Sequence, residues 1–178
     1  AKKTSPYAFY QFWLNTSDAD AYKFLRYFTF LPVSRIAEIE AADKTSGAKP
    51  EAQRILAEEA TTLVHGAEAL EAAQRISQSL FSGQLSALTE ADLEQLAQDG
   101  MPGVLLDKSA DGLIDALVAA NLAKSKSEAR TFIQSGSVSI NGNKVDALDH
   151  AFCQDEQLFN RFTVLRRGKK NYGLISWQ

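Results

Sequence analysis

One stretch in the last third of this chain constrains the fold more than any other. Ser125 is suited to cap a helix, and Glu128 stands three residues later, as in a capping box. Gly136 then ends the helix, and residues 137–140 alternate polar and apolar side chains, as a half-buried strand does. Asn141-Gly142 follows and is the strongest short-range hairpin signal, because both turn positions need positive φ. The stretch therefore predicts a helix that leads directly into a β-hairpin.

The two halves of the chain differ in their predicted elements. Capping residues and apolar periodicity predict helices in the first half, beginning at Pro6, over 18–28, 34–42, 50–64 and 67–81, and after Thr89. The second half adds a helix over 111–120 and strands over 157–165 and 172–177. We therefore predict an α+β fold: an all-helical first domain over 1–100, a linker over 101–109 at a Gly-Met-Pro-Gly break, and a small helix-turn-helix plus β-hairpin, antiparallel-sheet domain over 110–178.

The first helix is apolar on all sides. Tyr7, Phe9, Tyr10, Phe12 and Trp13 surround it instead of forming one stripe, which is typical of a helix buried on every side. A domain of about a hundred residues rarely encloses a terminal helix completely, so we expect this helix to pack on a preceding domain. The alternative is a helix that is central in its own small core.

Charge is distributed unevenly along the 178 residues. Residues 1–107 contain nine Lys/Arg and fifteen Asp/Glu, whereas residues 108–178 contain ten and seven, so the overall charge of -3 conceals a basic carboxy-terminal part. Such asymmetry favours a polyanionic partner for the basic part, although a solvated basic tail gives the same pattern. No apolar run is long enough to cross a bilayer, and the single cysteine excludes an internal disulfide framework.

The sequence contains no catalytic pattern. His65 lies at a predicted helix end and His150 in a predicted loop, positions typical of structural or surface histidines; Cys153 has no second cysteine, and no phosphate-binding glycine loop occurs. We therefore assign no catalytic residue and no metal site to this chain. Two basic clusters are instead the candidate site for nucleic acid: Lys124, Lys126 and Arg130 around the second helix of the small domain, and Arg166, Arg167, Lys169 and Lys170 on the tip between the last two strands.

Residues 125–142 resemble the RNA-binding domain family named after ribosomal small-subunit protein four. Their sequence is Ser-Lys-Ser-Glu-Ala-Arg-Thr-Phe-Ile-Gln-Ser-Gly-Ser-Val-Ser-Ile-Asn-Gly. The shared features are the serine and basic residue that open the helix, the internal Ala-Arg, the glycine exit and the Val-x-Ile-Asn-Gly hairpin. The resemblance implies that Lys124, Lys126, Arg130 and the hairpin, including Asn141 and Gly142, lie near RNA.

Other segments resemble the carboxy-terminal half of bacterial tyrosyl-tRNA synthetase in the same order. They are residues 5–13, the segment from Leu56 to Gly66, Leu80-Phe81-Ser82-Gly83 and residues 161–172. That family has a nucleotide-binding catalytic domain, a helical anticodon-binding domain and then this RNA-binding module. The His-Ile-Gly-His and Lys-Met-Ser-Lys-Ser types of signature do not occur in this chain. The resemblance therefore implies a tRNA-binding part of a tyrosine–tRNA ligase without its amino-terminal catalytic domain.

The same resemblance implies the partners. We expect tRNA-Tyr, held by its long variable arm and anticodon stem, to bind this chain, and the whole protein to be a cytoplasmic homodimer that uses ATP with Mg²⁺. This chain itself would need no cofactor, would not act at a membrane and would not be an enzyme alone. Lys44, Lys49 and Arg54 are basic candidates for anticodon contacts, although a solvated surface explains each equally well.

Two other functions remain open from the sequence. A ribosomal or rRNA-modifying protein could use the same RNA-binding module, although a modifying enzyme would need a catalytic domain after it. A protein-interaction module could use the acidic helical half, with the basic tail incidental.

Overall fold

The computed structural model describes residues 4–47, 50–107 and 112–178. The chain divides into two compact units, Ala1–Arg75 and Ile76–Gln178. Helices form the first unit, and helices with a five-stranded sheet form the second. The α+β fold class is therefore confirmed.

In the first unit the described residues form α1 (Pro6–Leu14), α2 (Asp18–Phe28), α3 (Val33–Ser46), α4 (Ala52–His65) and the first part of α5 (Ala67–Ser82). Serine side chains cap the first two, as Ser5 Oγ accepts from the Ala8 amide at 3.1 Å and Ser17 Oγ accepts from the Asp20 amide at 3.2 Å. Apolar side chains from α2, α3 and α4 form one core, which contains Ala21, Leu25, Ile36, Ile39, Ala52 and Leu56.

The start of α4 is capped by a neighbouring helix. No side chain at its own N-cap position bonds to the exposed amides. Instead, the carboxylate of Asp43, on α3, accepts hydrogen bonds from the amides of Glu51 at 2.8 Å and Ala52 at 3.2 Å. The hydroxyl of Tyr22, on α2, donates to the same carboxylate at 3.0 Å. Three helices are therefore held together at one acidic side chain.

The second unit begins with the end of α5 and continues through α6 (Glu90–Gln95), a π-helical turn (Leu96–Gly100), β1 (Gly103–Leu106), α7 (Leu113–Ala119), α8 (Lys126–Gln134), β2 (Val138–Ile140), β3 (Asn143–Val145), β4 (Phe162–Arg167) and β5 (Asn171–Trp177). The strand order is β1-β5-β4-β2-β3, and all neighbouring pairs are antiparallel except β1 with β5. Helices α7 and α8 share a core with the sheet that includes Leu117, Ile133, Ile140, Leu165 and Trp177.

The predicted linker over 101–109 contains a strand. Gly103 to Leu106 form β1, which pairs in parallel with Leu174 to Trp177 of β5. Residues 108 and 109 lie outside the described residues. The sheet is consequently mixed, whereas the sequence predicted an antiparallel one. The boundary between the two compact units also falls earlier than the predicted linker, within α5.

Strand β4 begins five residues later than predicted. Leu158 forms an isolated bridge with Phe162, residues 159–161 form a turn, and Phe159 and Asn160 both have positive φ, at 55° and 54°. A strand cannot continue through such a conformation. No helix within the described ranges is long and apolar enough to span a bilayer.

Candidate nucleic-acid interface

The predicted helix–hairpin forms as the sequence indicates. Ser125 Oγ accepts from the Glu128 amide at 3.2 Å, which caps α8. The Glu128 carboxylate bonds to the amide of Lys124 at 2.5 Å, one residue before the usual partner in a capping box. This reciprocal pair fixes the start of α8, so the backbone on which Lys124 and Lys126 stand is ordered.

Lys126 and Arg130 differ in their partners. They stand four residues apart on α8 and share one exposed face. Lys126 Nζ forms an ion pair at 2.5 Å with Asp115 of α7, whereas Arg130 has no ion pair with any residue in the described part of the chain. Both ends of the Lys126 pair are solvent-accessible, so water screens the attraction. Of these two cations, Arg130 is therefore the one without an ion-pair partner among the described residues.

Asn141 and Gly142 are held by the protein. The Asn141 side chain donates from Nδ2 to the Glu156 carbonyl at 2.7 Å and accepts from the Val164 amide at 2.9 Å. Both hydrogen bonds connect the hairpin turn to backbone elsewhere in the unit. Gly142, with φ of 89°, lies against the carbonyl of Gly83, and an added Cβ would overlap that oxygen. These two residues have structural reasons for their identity, and their contact with RNA stays a prediction.

The basic tip does not form one cluster, because Arg166 and Arg167 point to opposite faces of β4. Alternation along a strand requires this. The Arg166 guanidinium lies over the Tyr172 ring, 5.3 Å from its centroid, and the Arg167 guanidinium lies over Phe132 of α8, at 4.7 Å. Lys169 and Lys170 stand in the exposed turn between the strands. The four predicted residues therefore occupy two sheet faces and a turn.

Sequence reasoning missed Lys144. In the sheet register, Lys144 of β3 pairs with Ser139 of β2, Ser139 pairs with Arg166 of β4, and Arg166 pairs with Tyr172 of β5. Directly opposed residues point to the same face of a sheet, so these four residues form one row across it. Lys144 is exposed at the outer end of this row. The hairpin register set by Asn141-Gly142 would have revealed it.

The other singled-out residues have partners within their own units. His150 Nε2 lies 3.0 Å from Glu156, and the His65 ring lies edge-on to Phe9, with centroids 5.1 Å apart. Lys44 pairs with Glu40, and Arg54 pairs with Glu51 and Glu58; Lys49 lies outside the described residues. Over residues 4–47, 50–107 and 112–178, no three His, Cys, Asp or Glu side chains are grouped to hold a metal ion.

The first unit exposes a large apolar surface. A groove of about 270 Å³ is lined by aromatic and aliphatic side chains, among them Phe9, Trp13, Tyr27, Phe28, Phe30, Leu63 and Val64. Phe30 is 87% exposed and Phe12, outside the groove, is 66% exposed. Tyr7, one of the aromatic residues of the first helix, is buried and does not contribute to this surface. Contiguous apolar surface of this kind marks a docking site more often than chance exposure.

Two family models match the chain in consecutive segments. Residues 92–175 match the tyrosine–tRNA ligase SYY-like C-terminal domain, and residues 1–82 match tRNA synthetases class I (W and Y). Among curated relatives, the tyrosine–tRNA ligase of Dechloromonas aromatica is 81% identical over 177 residues, and that of Chromobacterium violaceum is 68% identical over 178. These alignments cover 99% and 100% of this chain but 42% of each relative. The chain therefore spans less than half the length of these relatives.

Solved structures are also similar to parts of the chain. A solution structure of a tyrosyl-tRNA synthetase C-terminal domain is 36% identical and covers 55% of this chain and 98% of that one, with a TM-score of 0.44. A C-terminally truncated mitochondrial tyrosyl-tRNA synthetase from Aspergillus nidulans is 33% identical and covers 43% and 23% respectively, with a TM-score of 0.39.

Proposed function

We infer that this chain, which belongs to the tyrosine–tRNA ligase family and corresponds to the carboxy-terminal part of its members, is a tRNA-binding part of such a ligase. In this proposal the second unit binds the sugar-phosphate backbone of tRNA-Tyr, in the long variable arm and the anticodon stem. The bound tRNA is thereby oriented for a catalytic domain in the part of the relatives that this chain does not cover. That domain would use ATP with Mg²⁺ to activate tyrosine.

The observation that carries the proposal is a set of exposed cations in the second unit. The side chains of Lys124, Arg130, Lys144, Lys169 and Lys170 are exposed, and none forms an ion pair with a described residue. Other basic side chains of this unit are engaged, since Arg161 bonds to Glu90 and Glu94 of α6. Cations without protein partners attract phosphates and release counterions when they bind them.

The arrangement favours structured RNA over an extended single strand. Single-strand binders combine cations with exposed aromatic rings on which bases stack. Here the rings beside the basic residues, Phe132 and Tyr172, are covered by the guanidinium groups of Arg167 and Arg166. Contacts to phosphate and sugar, which follow the shape of a folded RNA, are what these residues can provide.

Fluorescence anisotropy with labelled transcripts tests the proposal. The chain is titrated against tRNA-Tyr and against a matched tRNA that lacks the long variable arm, at several salt concentrations. We expect tighter binding of tRNA-Tyr, and a slope of log affinity against log salt that grows by about 0.7–0.9 per phosphate contact. Equal affinity for both transcripts would remove the variable arm from the site, and no binding of either would contradict the proposal.

We also propose that the apolar surface of the first unit docks the rest of the polypeptide in the full-length protein. The relatives are more than twice as long as this chain, and a groove lined by Phe9, Trp13, Phe28 and Phe30 offers a complementary surface for another domain. The full-length protein would be a cytoplasmic homodimer.

This chain alone would neither activate tyrosine nor charge tRNA. Tyrosine-dependent ATP–pyrophosphate exchange by the pure 178-residue chain would contradict this expected lack of activity.

A further inference from the structure

Arg166 is surrounded by protein groups on three sides, unlike the lysines that follow it. Its guanidinium lies over the Tyr172 ring, its Nη2 donates to the Lys169 carbonyl at 3.2 Å, and its Nη1 lies 3.4 Å from where a Cβ on Gly83 would stand. Its Nε is buried and has no hydrogen-bond partner among the described residues. Arg166 is half-buried, and with one face stacked, Nη2 bonded and Nε buried its guanidinium has fewer free donors for an RNA phosphate than an exposed arginine has.

Arg166 contacts both the exposed turn and a tyrosine ring that is hydrogen-bonded to α5. Tyr172, on which it stacks, donates its hydroxyl to the carbonyl of Leu80 in the last turn of α5, and burial raises the pKa of Tyr172. The Lys169 carbonyl, which Arg166 holds, belongs to the turn that also carries Lys170. Arg166 therefore connects the exposed turn to the end of α5, through one planar group that bonds and stacks at once.

Further contacts fix the turn at its other side. The Gly168 amide donates to the Ser137 carbonyl at 2.8 Å, and Asn171 Nδ2 donates to the Arg167 carbonyl at 3.3 Å. With the Arg166 bond, the backbone of the turn is bonded at Arg167, Gly168 and Lys169. The two lysine side chains extend from this ordered backbone into solvent.

We propose that Arg166 is a positioning residue, which orders the turn so that Lys169 and Lys170 contact RNA phosphates, and is not itself a phosphate contact. This inference rests on the proposed function and assigns different roles within the predicted site. A lysine at position 166 would keep the charge but could not stack as a plane and bond to the Lys169 carbonyl together. Charge alone should therefore fail to replace Arg166.

A double-mutant cycle with tRNA-Tyr as the probe tests this assignment. Affinity is measured by anisotropy for the parent chain, Arg166→Ala, Arg166→Lys, Lys169→Ala/Lys170→Ala, and the combined variants. We expect Arg166→Lys to weaken binding as much as Arg166→Ala. We also expect either change to have less than about a twofold effect once both lysines are absent, a departure from additivity typical of groups that act together. Arg130→Ala is the control, because it stands on α8 and should weaken binding by the same factor in both backgrounds.

Tyr172→Leu provides a second test, which does not change the charge and does not require the Arg166 variants to fold. It removes the ring under the guanidinium without changing net charge, and it should weaken binding only when Lys169 and Lys170 are present. Circular dichroism melts identify which variants are folded. Full rescue by Arg166→Lys, or an Arg166→Ala effect that persists without the lysines, would make Arg166 a direct phosphate contact and overturn the inference. Failure of the parent chain to bind tRNA would contradict the proposed function instead.

Discussion

Gly142 in the hairpin turn lies directly against the carbonyl oxygen of Gly83, which follows the last turn of α5. A Cβ at position 142 would overlap that oxygen, and the φ of 89° at Gly142 is one that other residues rarely adopt. Residues 59 positions apart in the sequence are therefore joined by a backbone contact that only glycine permits. Two separate requirements, the conformation of the turn and this close contact, therefore both select glycine at position 142.

We predict that Gly142→Ala destabilises the second unit strongly. Positive φ alone costs a non-glycine residue about 1–2 kcal/mol, and displacing backbone to remove the overlap costs about 1–3 kcal/mol more. Urea unfolding of the chain measures the change. Gly168→Ala is the matched control, because Gly168 has a φ of 61° but nothing within 4 Å of an added Cβ. Equal destabilisation by both substitutions would show that the contact with Gly83 contributes nothing.

Local signals predicted the helices well, because their determinants lie within a few residues. Residues 18–28 were predicted as a helix and form α2, since Ser17 caps the first turn and Asp18 and Asp20 suit its dipole. The helix–turn–hairpin of the second unit also follows its local code. Strand β1 was missed because its first residue is the glycine of a Pro-Gly pair, and its partner β5 lies about seventy residues later. No local pattern records such a pairing.

The sequence predicted which residues belong to the candidate site but not how their side chains are arranged. Arg166 and Arg167 were expected in one cluster, yet strand alternation alone places them on opposite faces of β4. The stacking of Arg166 on Tyr172 and the ion pair of Lys126 with Asp115 depend on which elements pack together. A charge pattern in a sequence cannot distinguish a cation that the fold engages from one that it leaves exposed.

We predict a loss of stability at high pH that depends on Tyr22. Burial, together with the hydrogen bond to Asp43, raises the pKa of Tyr22 from 10.0 to about 12. Below pH 10 the hydroxyl is protonated in both states, and between pH 10 and 12 the unfolded chain releases a proton that the folded chain retains. Stability therefore falls as pH rises through this window. In Tyr22→Phe the fall in unfolding free energy from pH 10 to 12 should be shallower.

Tyr27→Phe is the control for this measurement, because it removes an exposed tyrosine from the same helix. Urea unfolding at pH 9, 10, 11 and 12 gives the unfolding free energy of each variant. The hydrogen bond between Tyr22 and Asp43 also predicts that Tyr22→Phe is less stable than Tyr27→Phe at neutral pH. Identical pH profiles for Tyr22→Phe and the parent chain would contradict the linkage.

We predict that the apolar surface of the first unit makes the isolated chain bind hydrophobic dyes. Phe30→Ser and Leu63→Ser should reduce the fluorescence of bound anilinonaphthalene sulfonate without lowering the melting temperature, because both side chains are largely exposed. Leu105→Ser, an exposed leucine of the second unit and outside the groove, is the control and should change dye binding little. Unchanged fluorescence in the Phe30 and Leu63 variants would place the dye elsewhere. In the full-length protein the same surface should be protected from dye.

Asp115 should oppose RNA binding through its ion pair with Lys126. Because Lys126 Nζ lies 2.5 Å from Asp115, an RNA phosphate must compete with this carboxylate and also approach its negative charge. Asp115→Asn removes the competitor, so we predict tighter binding of tRNA-Tyr and a salt slope steeper by up to about 0.9, the value of one additional phosphate contact. Asp155→Asn makes the same change in net charge at an exposed position and should produce a smaller gain. In a Lys126→Met background the advantage of Asp115→Asn over Asp155→Asn should disappear. If Asp115→Asn weakens binding, the prediction is wrong: the ion pair then orients Lys126 for the phosphate, and Asp115 increases the affinity for tRNA-Tyr.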